Sequence, residues 1–236
     1  MIIQIVNVCP DLVDHGTAQK WVDAIQRQIL SDFAPLWDEW TKPATLHYAG
    51  DGAGAKPAPG DGVIKIVQHS GDVGALGSHW IDGTHPMGEA AVEDCIADGV
   101  APSSCLDHEC LEMNLDVQCV RCVQVGSQIW MLEACDRCES SDENYAIDGI
   151  ALENFSTPAA FLDSSSGPWD FRKTLSSNVL APAGYQLALD TGSAQWQQLT
   201  GMRARNAKRA ARTGSRRASR IRRAGGDPSK LTLVAV

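Results

Sequence analysis

No apolar run in the 236-residue chain reaches the roughly 18 residues that a membrane-spanning helix needs. The first ten residues, MIIQIVNVCP, lack the basic segment and small-residue cleavage site of a signal peptide. Both absences point to a cytoplasmic or virion-associated protein with no membrane partner. Acids are nearly missing from the end of the chain: from Arg203 onward there are 11 Lys/Arg against Asp227 alone, net +10. Bases are scarce before it: residues 1–202 hold 9 Lys/Arg and 28 Asp/Glu, net −19. The overall charge of −9 therefore averages an acidic body and a basic arm, which need separate readings. The rest is ordinary: 44% hydrophobic and 21% charged residues suit a soluble globular protein of one or two domains.

Patterning along the chain predicts an α+β fold. Residues 2–8 read as a strand stopped by Pro10. After a Thr17 cap, Trp21, Val22, Ile25, Ile29, Leu30 and Phe33 recur at helical spacing. Residues 45–48 and, most clearly, 63–68 read as strands around a Gly/Pro-rich loop at 51–62. The stretch GDVGALGSHWIDGTH has too many glycines for a helix and suits an edge strand plus a loop. Residues 90–96 read as a further strand. Pro102, then Ser104 with Asp107, resembles a capping box, and predicts a helix over 105–115. Residues 128–132 look strand-like. From Ala194 a helix is expected to run into the basic arm.

The most informative residues are His108, Glu109, Cys110, Leu111 and Glu112, an HExxE pattern. On a helix, His108 and Glu112 lie one turn apart on one face and can share a metal ion. Glu109, about 100° around the helix, can reach a water on that metal as a general base. Asp116, one turn further, offers a third oxygen ligand. The same pattern also occurs on charged helices where the His–Glu pair is merely solvated.

Context narrows this choice. The chain resembles a family of zincin-like, metallopeptidase-related proteins of phages and bacteria. The resemblance rests on Ala75-Leu76-Gly77-Ser78-His79 and on Asp107-His108-Glu109-Cys110-Leu111-Glu112 with Asp116. It continues in Glu133-Ala134-Cys135-Asp136, Tyr145-Ala146-Ile147-Asp148-Gly149, Asn154-Phe155 and Pro158-Ala159-Ala160-Phe161, covering roughly residues 1–162. It implies a zincin-like mixed sheet with an active-site helix. It also implies a metal, zinc first, held by His108, Glu112 and Asp116, with Asp136 as a competing third ligand. Glu109 is then the base, and His79 on the substrate-lining edge strand either stabilises the oxyanion or is a plain surface residue. The expected function is metal-dependent hydrolysis of a peptide or protein substrate. The alternative is a non-catalytic virion or assembly component that keeps the fold. The chain departs from the usual motif by having Glu112 in place of the second helix histidine. One histidine with two carboxylates donates more negative charge than a His₂Glu set, lowers Lewis acidity and favours harder ions such as Mn²⁺ or Ca²⁺.

Cys119, Cys122, Cys135 and Cys138 form two CxxC pairs twelve residues apart, a spacing that supplies four thiolates to one structural Zn²⁺. Two disulfides, plain thiols or an iron–sulfur cluster are the competing readings. The zinc reading makes residues 117–140 a zinc-ribbon-like insertion in a domain over 1–162. Residues 163–200 then extend that domain, and 201–236 form a flexible or partner-ordered arm.

The arm carries Arg203, Arg205, Lys208, Arg209, Arg212, Arg216, Arg217, Arg220, Arg222 and Arg223 with no acid and no aromatic residue among them. It suits salt-sensitive, non-specific contact with nucleic acid or an acidic protein. A solvated tail, or an arm folded back on the acidic body, fits the same charge. The apolar end, LTLVAV, suits an added strand.

Overall fold

The structure, a computed structural model, describes residues 1–52, 57–72, 75–139, 142–162, 166–201, 221, 227, 230 and 232–235. It is a mixed α+β protein of two compact units, one formed by residues 1–119 and 144–153 and the other by 120–143 and 154–236.

The first unit is built on a five-stranded sheet. In chain order its strands are β1 (Ile2–Asn7), β2 (Thr45–Asp51), β3 (Gly62–Val67), β4 (Gly77–Asp82) and β5 (His85–Ala91). Their order across the sheet is β2-β1-β3-β5-β4. The first four in that order run parallel, and β4 joins β5 antiparallel as the last strand. Central parallel strands are covered on both faces and so read as near-continuous apolar runs. Accordingly Ile3, Ile5, Ile64 and Ile66 are all buried.

Helix α1 (His15–Gln28) supplies Ala18, Val22, Ala24 and Ile25 to this core. Its cap is Asp14, whose carboxylate accepts the Thr17 backbone N–H at 3.0 Å, not the expected Thr17. Asp14 also takes the Thr17 hydroxyl at 2.6 Å, and these bonds hold its carboxyl below the usual range. The helix loosens into a π-turn at Ile29–Phe33, and Trp37 stacks on Phe33 beneath it.

Residues 90–96, expected as a strand, divide between the end of β5 and a short helix α2 (Val92–Ala97). The apolar start of that segment is strand-like. The chain nevertheless leaves the sheet at Val92, where Glu93 and Asp94 fall in the first helical turn, a favourable place for acids. Helix α3 (Pro102–Leu115) begins earlier than expected, with Pro102 at its first position. Ser104 does not cap it; its hydroxyl donates back to the Ala101 carbonyl at 2.8 Å.

A small hairpin closes the unit. Strands β8 (Tyr145–Ile147) and β9 (Ile150–Leu152) meet through Asp148-Gly149, both with positive φ, the signature of a type I′ turn. Side chains of α1 and α3 hold its end. Gln28 Nε2 donates to the Glu153 carbonyl at 2.9 Å, and the Asp107 carboxylate accepts the Glu153 N–H at 2.7 Å.

The second unit has its own five-stranded sheet, ordered β12-β11-β10-β7-β6. Its strands are β6 (Cys122–Val125), β7 (Gln128–Met131), β10 (Tyr185–Asp190), β11 (Gln195–Thr200) and β12 (Thr232–Ala235). Neighbours are antiparallel except β11 and β12, which are parallel. The cysteine-bearing hairpin β6–β7 is therefore the edge of this sheet, not an insertion in the first unit. Likewise residues 163–200 do not extend the first unit but furnish the central strands of the second. The helix expected from Ala194 is strand β11. Its alternation of Trp196 and Gln198 against β10 places both inside, a pattern that pairing with two neighbours stabilises better than an isolated helix.

Met131, Leu187, Trp196 and Ile221 form one buried cluster in this unit. Ile221 comes from within the basic run, and β12 is the expected terminal strand. Arg137 is also buried here, its guanidinium over the rings of Trp130 (4.6 Å) and Phe161 (5.7 Å) and donating to Asn178 at 2.7 Å. Burial lowers its pKa to about 10. Asp170 is a fully buried polar hub, taking bonds from Asn154, Thr174 and Leu175.

Candidate metal centre

Helix α3 is buried along nearly its whole length, which explains why it carries no amphipathic stripe. Its acids Asp107, Glu109 and Glu112 are all below 5% exposed, and His108 is the one residue between Ser103 and Leu115 that reaches toward solvent. Buried charges are costly unless paired, hydrogen-bonded or coordinated to a metal. Each of these acids has such a partner.

Asp107 turns to the hairpin end at Glu153. Burial pushes its pKa up to about 8, against the opposing pull of the Glu153 N–H bond. The other two acids face β4. His79, 1% exposed, places Nδ1 2.9 Å from Glu109 Oε2 and 3.7 Å from Glu112 Oε2. The other oxygen of Glu112, Oε1, lies 3.2 Å from His108 Nε2. Ligand atoms of His79, Glu109 and Glu112 all lie within 4.8 Å of one another. The helix and the edge strand thus bring Glu109, Glu112 and His79 into one group, and His108 approaches that group through Glu112.

Two glycines make this approach possible. A Cβ on Gly77 would stand 2.7 Å from Cys105 Sγ and 2.8 Å from Glu109 Oε1. A Cβ on Gly88, opposite His79 in the β4–β5 register, would stand 3.0 Å from Ile64 Cγ1 and 3.5 Å from His79 Cβ. Glycine at 77 lets α3 lie close to β4, and glycine at 88 keeps the β5 backbone clear of Ile64 and the Ser78 carbonyl.

The donor set suits a divalent ion. Ligand bonds of about 2.0–2.1 Å in a tetrahedron put ligand atoms about 3.3 Å apart. The His108–Glu112 separation of 3.2 Å is close to that value, while His79 stands 3.7 Å from the other Glu112 oxygen. Imidazole nitrogens with carboxylate oxygens are donors that zinc accepts.

Asp116 is placed differently from the expectation. It ends α3, with its backbone N–H on the Glu112 carbonyl at 2.8 Å. Its carboxylate is buried but belongs to no group of first-unit metal-ligating atoms within 4.8 Å among the described residues. Asp136 lies in the second unit, buried on a 3₁₀ turn, Asp136–Cys138.

None of the eight cysteines forms a disulfide. Cys122, Cys135 and Cys138 do not gather three sulfurs into one group: Cys122 is exposed at the start of β6, and Cys138 Sγ lies 3.3 Å from Ser156 Oγ in a buried setting. Cys119, buried with φ 52°, ends the first stretch of the first unit. Cys105 and Cys110 are buried packing residues as expected. A hydrogen bond to Cys95, then burial, raises the Cys105 thiol, and burial raises that of Cys110. The ten basic residues of the arm lie outside the described residues.

Sequence reasoning missed the contact between His79 and Glu109 and the two glycines that permit it. The signal was the Gly-x-His spacing of Gly77 and His79, which puts both on one face of a strand. No family model, curated protein or solved structure matches the chain. Among the described residues no helix is long and apolar enough to cross a membrane.

Proposed function

We propose that the first unit is a zincin-like, metal-dependent hydrolase of peptide bonds. The observation that carries this reading is the grouping of Glu109 and Glu112 of one buried helix with His79 on the last strand of a mixed sheet, with His108 of the same helix 3.2 Å from Glu112. His108 and Glu112 would hold the ion, preferentially zinc. A divalent ion there would act as a Lewis acid toward the scissile carbonyl. Glu109 accepts a proton from the attacking water and passes it to the leaving amine. Its carboxylate is held for that task by the 2.9 Å contact with His79. Strand β4 would align an extended substrate backbone by β-addition.

Glu109→Gln tests this reading. It is expected to lower hydrolysis of a fluorogenic peptide mixture by about 10²–10⁴-fold while metal content, measured by elemental analysis, stays constant. Unchanged hydrolysis, or loss of the metal, contradicts the assignment of Glu109 as base.

A second reading keeps the metal cluster for structure and assigns the activity of the protein to binding a polyanion or acidic partner through residues 203–223, as a virion or assembly component would. It is favoured by the bracketing of that run between β11 and β12. Zinc on the four cysteines belongs to either reading as a proposal, and an elemental count of two ions per chain, against one, distinguishes it.

A further inference from the structure

Glu109 and Glu112 take part in one more arrangement, which the hydrolase reading leaves unused. With His79 of β4 they form a buried group of one imidazole and two carboxylates whose ligand atoms all lie within 4.8 Å of one another. From this group we infer a second cation site in the centre, an inhibitory one: zinc held by His79, Glu109 and Glu112 takes Glu109 out of its role as base. The inhibitory consequence rests on the hydrolase reading above; the site itself rests on these three residues.

Geometry and depth support the site. A tetrahedral ion with ligand bonds of about 2.0–2.1 Å sets its ligand atoms about 3.3 Å apart. His79 Nδ1 stands 2.9 Å from Glu109 Oε2 and 3.7 Å from Glu112 Oε2, one on each side of that spacing. The three side chains are buried, and they come from two elements that Gly77 lets lie close. Glu112 turns its oxygens to different partners, Oε1 to His108 at 3.2 Å and Oε2 to His79. An ion on His108 and Oε1 and an ion on Oε2 can therefore be present together, bridged by one carboxylate, as in two-metal sites with ions about 3.5–4 Å apart.

The second ion is the weaker one. It must approach the charge of the first, share Glu112 with it and break the His79–Glu109 contact. When it binds, Nδ1 of His79 gives its lone pair to the ion, and any proton on that nitrogen passes to solvent. The Glu109 oxygen that would take a proton from water is coordinated instead. Hydrolysis then falls as free zinc rises past the second step.

The test is a zinc titration of the metal-free, full-length protein against a chromophoric chelator, for the wild type, His79→Gln, Glu109→Gln and His108→Gln. Peptide hydrolysis by the wild type is followed at each zinc concentration. His79→Gln and Glu109→Gln are each expected to weaken the second step by at least about 100-fold, more than loss of a supporting group, and to keep the first. His108→Gln is expected to lose the first. Without zinc in excess the second site is empty, so the constant metal content expected of Glu109→Gln still holds. A folded His79→Gln or Glu109→Gln that titrates as the wild type at every step overturns the second site. If His79→Gln does not fold, Glu109→Gln decides. Wild-type hydrolysis that does not fall across the second step overturns its inhibitory role. His108→Gln that titrates as the wild type, beside a His79→Gln that loses a step, overturns the placement of the hydrolase ion and leaves the second site standing. A wild type without hydrolysis at any zinc concentration overturns the hydrolase reading, and the titration still decides the site.

Discussion

Gly77→Ala probes the candidate centre without changing any of its candidate ligands. The added Cβ would stand 2.7 Å from Cys105 Sγ, 2.8 Å from Glu109 Oε1 and 3.0 Å from the Glu89 carbonyl. Contacts of this kind rest near about 3.5–4.0 Å, so strand and helix must part by about 1 Å. Cys105 is 7% exposed and Glu109 4%, which leaves neither side chain an easy path away. Overpacking of this size costs about 1–3 kcal/mol. Alanine recovers part of it, about 0.5–1 kcal/mol, through its lower backbone entropy loss in a strand. The net expectation is a destabilisation of about 0.5–2 kcal/mol in urea unfolding. Zinc affinity should fall as well, because the displaced helix also carries His108 and Glu112, which would hold the ion. Cys105→Ala removes the nearest obstacle, so the double variant should recover part of the loss, with a coupling energy of at least about 0.5 kcal/mol. Recovery stays partial because the Glu89 carbonyl is backbone. If Gly77→Ala unfolds and binds zinc as the wild type does, α3 does not lie as close to β4 as argued.

Ile221→Ala should cost about 2–4 kcal/mol in urea unfolding, because Ile221 is fully buried against Met131, Leu187 and Trp196; no change would return the basic run to the status of a solvated tail. Asp107 is held protonated near neutrality by burial, with a pKa of about 8. Folded chains therefore keep a proton that unfolded chains lose above about pH 3.9, and stability falls as pH rises through that window, at about 1.4 kcal/mol per unit. Asp107→Asn keeps an oxygen for the Glu153 N–H and cannot ionise, so its unfolding free energy should depend less on pH between about 5 and 8; parallel pH curves for the two proteins would contradict this. Exchanging Arg203, Arg205, Lys208, Arg209, Arg212 and Arg216 for Gln should make nucleic-acid binding less sensitive to salt. The slope of log affinity against log salt should flatten by about 0.7–0.9 for each phosphate no longer neutralised. An identical slope would remove the arm from binding. Truncation after Thr200 is a poorer experiment, since it also deletes Ile221 and β12.

What can be read in the sequence is local. The apolar runs of β1 and β3, the helical spacing behind α1 and the i, i+4 pair His108–Glu112 follow from neighbours within a few residues. The failures are tertiary. Val92–Ala97 has strand-like residues but sits where the chain leaves the sheet. Gln195–Thr200 has no strong period, and becomes a strand because β10 and β12 both offer ladders to it. The cysteine hairpin reads as an appendage because its partner β10 is more than fifty residues downstream. His79 is visible as a residue of interest, but Glu109 lies thirty positions further on, and their contact depends on the chain between them folding β5 and α2.

The parallel pairing of β12 with β11 has a mechanical consequence. Chain leaving β11 at Thr200 must travel back past that strand before β12 can begin beside Gln197, and Ile221 is fixed on the way. The chain on either side of that crossing is therefore anchored in the same sheet and core, so force applied between the anchors would load β11 on one side and β12 with the core around Ile221 on the other.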